Sequence, residues 1–389
     1  MTLYERMASL LEENKARGML RTITPKKQQG SRIFIDGKEY INLSSNDYLG
    51  LGQDAALAKE FLDYSTGHVC PLSSSGSPLL TGAHESYAQA EEIMERLFSK
   101  KAVFFNSGFS ANSGILAALG DKHTLIIADK LAHASMIDGI LASKGRYLRY
   151  AHNDYEHLEE LISKNHAEYE SVIIVTEAIF SMDGDRCDLK RLVDLKKRYP
   201  NVYLYVDEAH SFTLFNENGA GLCVNSGLGD QVDFILTTFG KGLGSEGACI
   251  LCNATARSYL INTARSLIFS TALSPFSFAH TAFMLNHMQK RNDLRKRLAG
   301  ISTYIHKTLT ESGFENLSDS QIIPLLTFEN QASLEAAAFF RENGFYAMPI
   351  RHPTVPKGKA RLRLSLSAAL TDSEVEKLAL TIRKFAQSF

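Results

Sequence analysis

The sequence holds only five cysteines in 389 residues, too few to make a disulfide framework for a chain this long. It has no excess of charge either. Its 42 Lys and Arg stand against 43 Asp and Glu, for a formal net charge of -1. That balance gives neither nucleic acid nor an anionic membrane surface an electrostatic reason to bind. No stretch approaches the ~18 apolar residues that span a bilayer. The N-terminal residues Glu5, Arg6, Glu12, Glu13, Lys15 and Arg17 interrupt the apolar core that a signal peptide requires. Repeats and low-complexity segments are absent. These absences lead us to expect a cytoplasmic protein.

What is present is an ordinary globular composition, 44% hydrophobic and 22% charged, sufficient for a substantial core. At roughly 150 residues per domain, this length suggests two or three domains. Residues 2–17 read as an exposed amphipathic helix, followed by a linker containing Pro25 and Gly30. Residues 32–41 alternate around an Asp36-Gly37 turn, as in a hairpin. Tyr87, Ala90, Met94 and Leu97 have helical spacing over 85–98. Short apolar runs follow at 102–105, 124–128, 172–176, 202–206, 234–237 and 248–252, separated by helical stretches. Such alternation predicts a mostly parallel sheet covered on both faces. A charged helical stretch around 286–311 opens an α+β region, with apolar segments near 322–327 and 361–367 and helices at 331–343 and 372–387. Cys249 and Cys252 have C-x-x-C spacing, but they sit in an apolar run without a second pair or a nearby His. The reading is a buried strand, with no metal site.

Ligands of open α/β sheets bind beyond the carboxyl ends of the strands, so the polar residues there matter most. After 102–105 comes Asn106-Ser107-Gly108-Phe109-Ser110-Ala111-Asn112, a small turn into a helix, which suits a phosphate. After 202–206 comes Asp207-Glu208-Ala209-His210, and a carboxylate at the end of a buried strand needs a cation or a cap. After 234–237 comes Thr238-Phe239-Gly240-Lys241-Gly242-Leu243-Gly244. Glycines let a bulky ligand approach, and a Lys held partly out of water has a lowered pKa and can form an imine. The segment does not match the phosphate loop of nucleotide-binding proteins.

In this order the three segments resemble those of the α-oxoamine synthases, acyltransferases that depend on pyridoxal 5'-phosphate (PLP). The resemblance runs from about Arg21 to the C-terminus. It is strongest in residues 42–51, in Ser107-Gly108-Phe109, in His133 with Ser135, in Ser181-Met182-Asp183-Gly184-Asp185, and in the Asp207 and Lys241 segments. It implies an α/β protein of PLP fold type I (aspartate-aminotransferase-like). The expected units are an N-terminal arm over 1–44, a large domain with the central sheet over 45–285 and a smaller α+β C-terminal domain over 286–389. It implies that Lys241 holds the cofactor as a Schiff base and moves the Cα proton. Asp207 would pair with the pyridine nitrogen, and His133 would lie flat against the ring. His210 and Ser181 would touch the phenolic oxygen side. Thr238, Gly108 and Phe109 would hold the phosphate, with Thr271 reaching it from the second subunit of a homodimer whose active sites lie at the subunit interface. Arg363, assisted by Asn46, would grip the amino-acid carboxylate. Arg21 and Thr354 would meet the acyl substrate.

Residues 350–358, leading to Arg361-Leu362-Arg363-Leu364, most resemble the branch that joins L-alanine to a pimeloyl thioester in biotin synthesis. The expected reaction is decarboxylative condensation to 8-amino-7-oxononanoate, with CoA or acyl carrier protein as thiol carrier. The alternatives are glycine or serine with another acyl-CoA, as in 2-amino-3-ketobutyrate ligase, or a catalytically silent PLP-binding protein. Three departures from the family pattern bear on the acyl tunnel: Pro78 after Gly76-Ser77, the run Ser211-Phe212-Thr213-Leu214-Phe215, and Glu246. His152, His157 and His166 match nothing and read as surface or satisfied core residues.

Overall fold

Strands of the expected α/β region are apolar on both faces, and that pattern places them inside the molecule. The computed structural model describes residues 1–17, 19–67 and 70–388. Its strands are β1 Lys27–Gln29, β2 Arg32–Ile35, β3 Lys38–Asn42, β4 Lys101–Phe105, β5 Thr124–Asp129, β6 Arg146–Tyr150 and β7 Ser171–Glu177. They continue with β8 Val202–Asp207, β9 Phe234–Thr238, β10 Ala248–Cys252, β11 Ile322–Phe328, β12 Phe345–Tyr346, β13 Met348–Ile350 and β14 Ala360–Ser365. The central sheet has the order β4-β10-β9-β8-β7-β5-β6. Pairing is parallel from β6 through β9, and only β10 runs antiparallel, to both β9 and β4.

Side chains alternate across a strand, and each strand here feeds two cores. Leu125, Ile127, Ile174, Leu204 and Val206 enter one apolar cluster. Ile126, Ala128, Val175, Tyr205 and Leu236 enter the other. Helices Gly108–Leu119 and Ala134–Ala142 cover the second face, while Tyr155–Asn165 and Leu189–Arg198 cover the first. Cys249 and Cys252 are buried in β10 on opposite faces of the sheet, which rules out their acting as a pair.

A second, antiparallel sheet, β11-β14-β13, packs with helices Asn292–Glu311, Asn330–Glu342 and Asp372–Ser388. The N-terminal hairpin β2–β3 joins this part of the chain, because β3 pairs in parallel with β12. The first helix, Leu3–Ala16, carries a Thr2–Glu5 capping box and buries no residue, as its sequence suggests. No described helix is long and apolar enough to cross a membrane.

Two expectations about elements need correction. The charged stretch around 286–311 is two helices, Pro275–Gln289 and Asn292–Glu311, so 286 falls inside the first of them. Ser274 and Pro275 start that first helix, a cap and an N1 proline. No Gly or Pro marks the break at Lys290-Arg291. Strand β6, Arg-Tyr-Leu-Arg-Tyr, escaped notice because it lies at the edge, where charged residues reach solvent.

Candidate functional site

A 330 Å³ cavity opens at the carboxyl ends of the parallel strands. It is lined by Gly108, Phe109, His133, Asp207, His210, Thr238 and Lys241, among others. Sequence positions more than a hundred residues apart meet there because parallel strands all end at one edge.

Asp207 ends β8 and is buried. Its Oδ2 accepts a hydrogen bond from Asn112 Nδ2 at 2.8 Å, and its Oδ1 one from the Ala209 N–H at 2.8 Å. Asn112 is itself oriented by the Tyr205 hydroxyl, which donates to its Oδ1 at 2.7 Å. Beside Asp207, at the end of β7, Glu177 is buried with Oε1 unpartnered. Burial first, and then the charge of Asp207, push the Glu177 carboxyl well above its ordinary range. The two neighbouring carboxyls are therefore unlike: Asp207 has two donors, and Glu177 has an oxygen without a partner and a raised pKa.

Lys241 follows β9, and its Nζ lies 2.8 Å from His210 Nε2. Burial lowers the Lys241 pKa to about 8, against the opposing pull of Asp207 and Glu177. Burial also keeps His210 neutral, helped by the charges of Lys241 and Arg363. Its Nδ1 lies 2.5 Å from the Tyr48 hydroxyl, which donates to Asn46 Oδ1 at 3.0 Å. Neutral imidazole has one donor and one acceptor, so Nδ1 donates to Tyr48 and Nε2 accepts from Lys241. His133 caps helix Ala134–Ala142, with Nδ1 2.7 Å from Ser135 Oγ, and burial lowers its pKa.

At the other end of the cavity, Ser107 caps helix Gly108–Leu119 by accepting from the Ser110 N–H. The first N–H groups of a helix have no partner within it, and they favour an anion. Thr238 Oγ1 is buried with no hydrogen-bond partner among the described residues. A Cβ at Gly108 would stand 2.5 Å from Thr238 Cγ2, so only glycine leaves this cradle open. A helix N-terminus, an unpartnered hydroxyl, a lysine near neutrality and a buried carboxylate fit the phosphate, aldehyde and pyridine nitrogen of PLP.

Arg363, on β14, is buried beside this cavity. Its Nε donates to the Ser181 carbonyl at 2.6 Å, Nη1 to Ser365 Oγ at 2.6 Å and Nη2 to Asn46 Oδ1 at 3.2 Å. Arg361, two residues earlier, pairs with Asp183 and donates to the Met182 carbonyl. A second cavity of 540 Å³ adjoins the first: Ala132 and Ala134 line it, while His133 lines the other. Leu131, Phe180, Met182, Leu317, Val355 and Pro356 give it an apolar wall.

Most of the residues expected at the site are thus brought together. Ser181 instead lines the larger cavity. Thr271 is exposed outside both cavities, its carbonyl accepting from Asn106 Nδ2 at 2.8 Å. Arg21 and Thr354, 333 residues apart, meet through a 3.2 Å hydrogen bond, and Thr354 lines the larger cavity. Sequence reasoning passed over Asn112 and Glu177. Glu177 gives the same signal as Asp207, a carboxylate closing an apolar run, and Asn112 is the one long polar side chain on an otherwise small and apolar helix.

The chain matches the family model described as Aminotransferase class I and II over residues 38–382. It is 47% identical over 360 residues to a Glaesserella parasuis protein named "Putative 8-amino-7-oxononanoate synthase", covering 92% of this chain and 94% of that one. The 8-amino-7-oxononanoate synthase of Francisella tularensis superposes with a TM-score of 0.76 at 27% identity, covering 90% of this chain and 98% of that one. A serine palmitoyltransferase variant from S. paucimobilis, solved with a PLP–myriocin aldimine bound, has the same fold, with a TM-score of 0.90 at 23% identity over 100% of this chain and 99% of that one. With its fold type I sheet and its Lys241 cavity, this chain belongs to the aminotransferase class I and II family, as a PLP-dependent enzyme of the α-oxoamine synthase group.

Proposed function

We propose that the protein condenses L-alanine with a pimeloyl thioester, releasing CO2 and the free thiol of CoA or acyl carrier protein and forming 8-amino-7-oxononanoate. The observation that carries this reading is the adjacency of the two cavities. One gathers Lys241, Asp207 and His133 beside the Arg363–Asn46 pair; the other, of 540 Å³, offers an acyl chain an apolar wall, and Thr354 in its lining holds Arg21 by a hydrogen bond. The names of the relatives support the same substrates.

Bound at Lys241, PLP supplies an electron sink for a carbanion at the amino acid's Cα. Lys241, whose amine burial brings to a pKa of about 8, would hold the cofactor by its aldehyde end and, as a free neutral amine, would take the Cα proton. Asp207, kept aimed by Asn112 and the Ala209 N–H, would hold the pyridine nitrogen protonated. His133 would face the ring, and His210, with Ser181 from the neighbouring cavity wall, would serve the phenolic oxygen side. Thr238 and the N–H groups of Gly108 and Phe109 would hold the phosphate. Arg363 and Asn46 grip the alanine carboxylate. Cα attacks the thioester carbonyl and expels the thiolate; the Cα–carboxylate bond then breaks to give CO2, and Cα regains a proton. Phe109 is 51% exposed at the cavity mouth and Thr271 is exposed nearby, a surface that fits a second copy of the chain bringing its Thr271 to the phosphate.

The test is a two-by-two comparison of alanine or glycine with pimeloyl or acetyl thioester, following thiol release. Pimeloyl with alanine should give the highest kcat/KM. Preference for acetyl with glycine would replace this reading with that of a 2-amino-3-ketobutyrate ligase.

A further inference from the structure

His152 matched nothing in the sequence, yet three loops at the carboxyl edge of the sheet meet on its ring. Nδ1 lies 2.9 Å from Asp129 Oδ1, at the end of β5, and Nε2 lies 2.8 Å from Asp185 Oδ2, in the loop after β7. Two carboxylates on the two ring nitrogens call for the doubly protonated imidazolium. Burial opposes that charge, but the hydrogen bonds from Asp129 and Asp185 raise the pKa to about 10. Asn153, at φ 50°, reinforces the clamp: its N–H donates to Asp129 Oδ2 at 3.1 Å and its Nδ2 to Asp185 Oδ2 at 2.7 Å. The imidazole stands edge-on to Phe180, with 4.4 Å between centroids. His152, Asp183 and Asp185 could bring ligand atoms within 4.8 Å of one another, but both ring nitrogens are already engaged, and a metal reading does not follow.

The two arms of the clamp lead to different parts of the site. Asp129 Oδ1 also accepts from the Leu131 N–H at 2.7 Å, fixing the turn that ends in His133. The Asp185 carbonyl accepts from the Phe180 N–H at 3.0 Å, closing the loop whose Ser181 carbonyl receives Arg363 Nε at 2.6 Å. That loop also holds Arg361, through Asp183 and the Met182 carbonyl. We propose that His152 is a positioning residue, which locks the His133 turn to the loop that aims Arg363 and so fixes the ring-facing imidazole relative to the carboxylate grip. The proposal rests on the reading of Arg363 as that grip.

The test uses the holoenzyme and titrates L-alanine against the cofactor's absorption spectrum. Asp185→Ala cuts the loop arm, the bonds from His152 and Asn153 together, and leaves the His152–Asp129 bond. It should raise the alanine Kd about tenfold with the cofactor retained. A cycle with Arg363→Lys separates positioning from general loosening. If His152 acts through Arg363, Asp185→Ala changes the Kd by less than about twofold in the Arg363→Lys background. His152→Gln, which cannot bridge both carboxylates, should raise the Kd similarly and also alter the visible circular dichroism of the cofactor beside His133. Should His152→Gln fail to fold, the Asp185 cycle decides alone. Arg363→Lys weakening alanine while Asp185→Ala does not, or the two losses multiplying in full, overturns the role of His152. Alanine bound normally by Arg363→Lys overturns the carboxylate reading, and this proposal with it.

Discussion

Lys241 sits in opposed fields. Burial pulls its pKa down to about 8, while Asp207 and Glu177 push it back up. The ordinary value is 10.5, so below about pH 8 both folded and unfolded chains carry the proton and the fold bears the full cost of burying it. Between about 8 and 10.5 only the unfolded chain remains charged, and the stability of the apo protein from this group rises with pH. The same shift governs cofactor capture. Uptake of PLP by apo protein, trapped on Lys241 by borohydride, should rise with pH around a midpoint near 8. A midpoint near 10, or mass spectrometry finding the reduced cofactor on another lysine, would contradict it. In Asp207→Asn the carboxylate no longer favours the lysine's charge, and the midpoint should move below that of the wild type. The same variant should retain PLP and lose more than about tenfold in turnover. Opposite charges ~4 Å apart at an effective dielectric of ~20 interact by about 4 kcal/mol, and half of that is over tenfold in rate. Near-normal turnover would make Asp207 structural.

At the scale of elements, one helix start carries the anion end of the cavity. Helix Gly108–Leu119 begins against β9, and Gly108 is its first residue. An added methyl would meet Thr238 Cγ2 at 2.5 Å, and a β-branched side chain rooted in a strand has little room to retreat. Gly108→Ala should therefore weaken PLP retention by about tenfold, or ~1.4 kcal/mol. The clash also costs the apo protein something, but its thermal midpoint should fall by less than the loss of affinity would imply, since alanine favours the helix that glycine begins. Equilibrium dialysis and calorimetry measure the two quantities. A loss of stability matching the loss of affinity would mean the methyl damages the fold and not the cradle.

At the scale of the whole molecule, distant parts of the chain meet at the larger cavity. Thr354 lines it and meets Arg21 across 333 residues, and β3 and β12 also join the two parts in one sheet. A pimeloyl chain carries a polar distal end that acetyl lacks. A hydrogen bond to a charged group contributes about 1.5–3 kcal/mol, so Arg21→Ala should lower kcat/KM for the pimeloyl thioester by about tenfold or more. With acetyl thioester it should change little. Equal losses with both donors would assign Arg21 to holding the arm in place.

The sequence by itself determined the sheet and its chemistry. Apolar runs buried on both faces can only be inner strands, and Asp207, Thr238 and Lys241 each announce themselves by following such a run. Those signals are local, and it was their order, with its resemblance to the α-oxoamine synthases, that gave them a chemistry. Antiparallel β10, edge strand β6 and the break at Lys290-Arg291 were not legible, because strand direction and helix interruption leave no periodicity to read. Asn112, Glu177 and His152 were passed over as functional residues for a related reason, since no local signal says what each of them serves. Each matters through a partner brought from elsewhere in the chain: Asp207 for Asn112 and Glu177, and Asp129 with Asp185 for His152. The tertiary structure alone decided which polar groups are buried together. Burial sets the dielectric, which raises the Glu177 pKa and brings that of Lys241 to about 8, while Asp129 and Asp185, brought to the two ring nitrogens, hold the charge of His152 against burial.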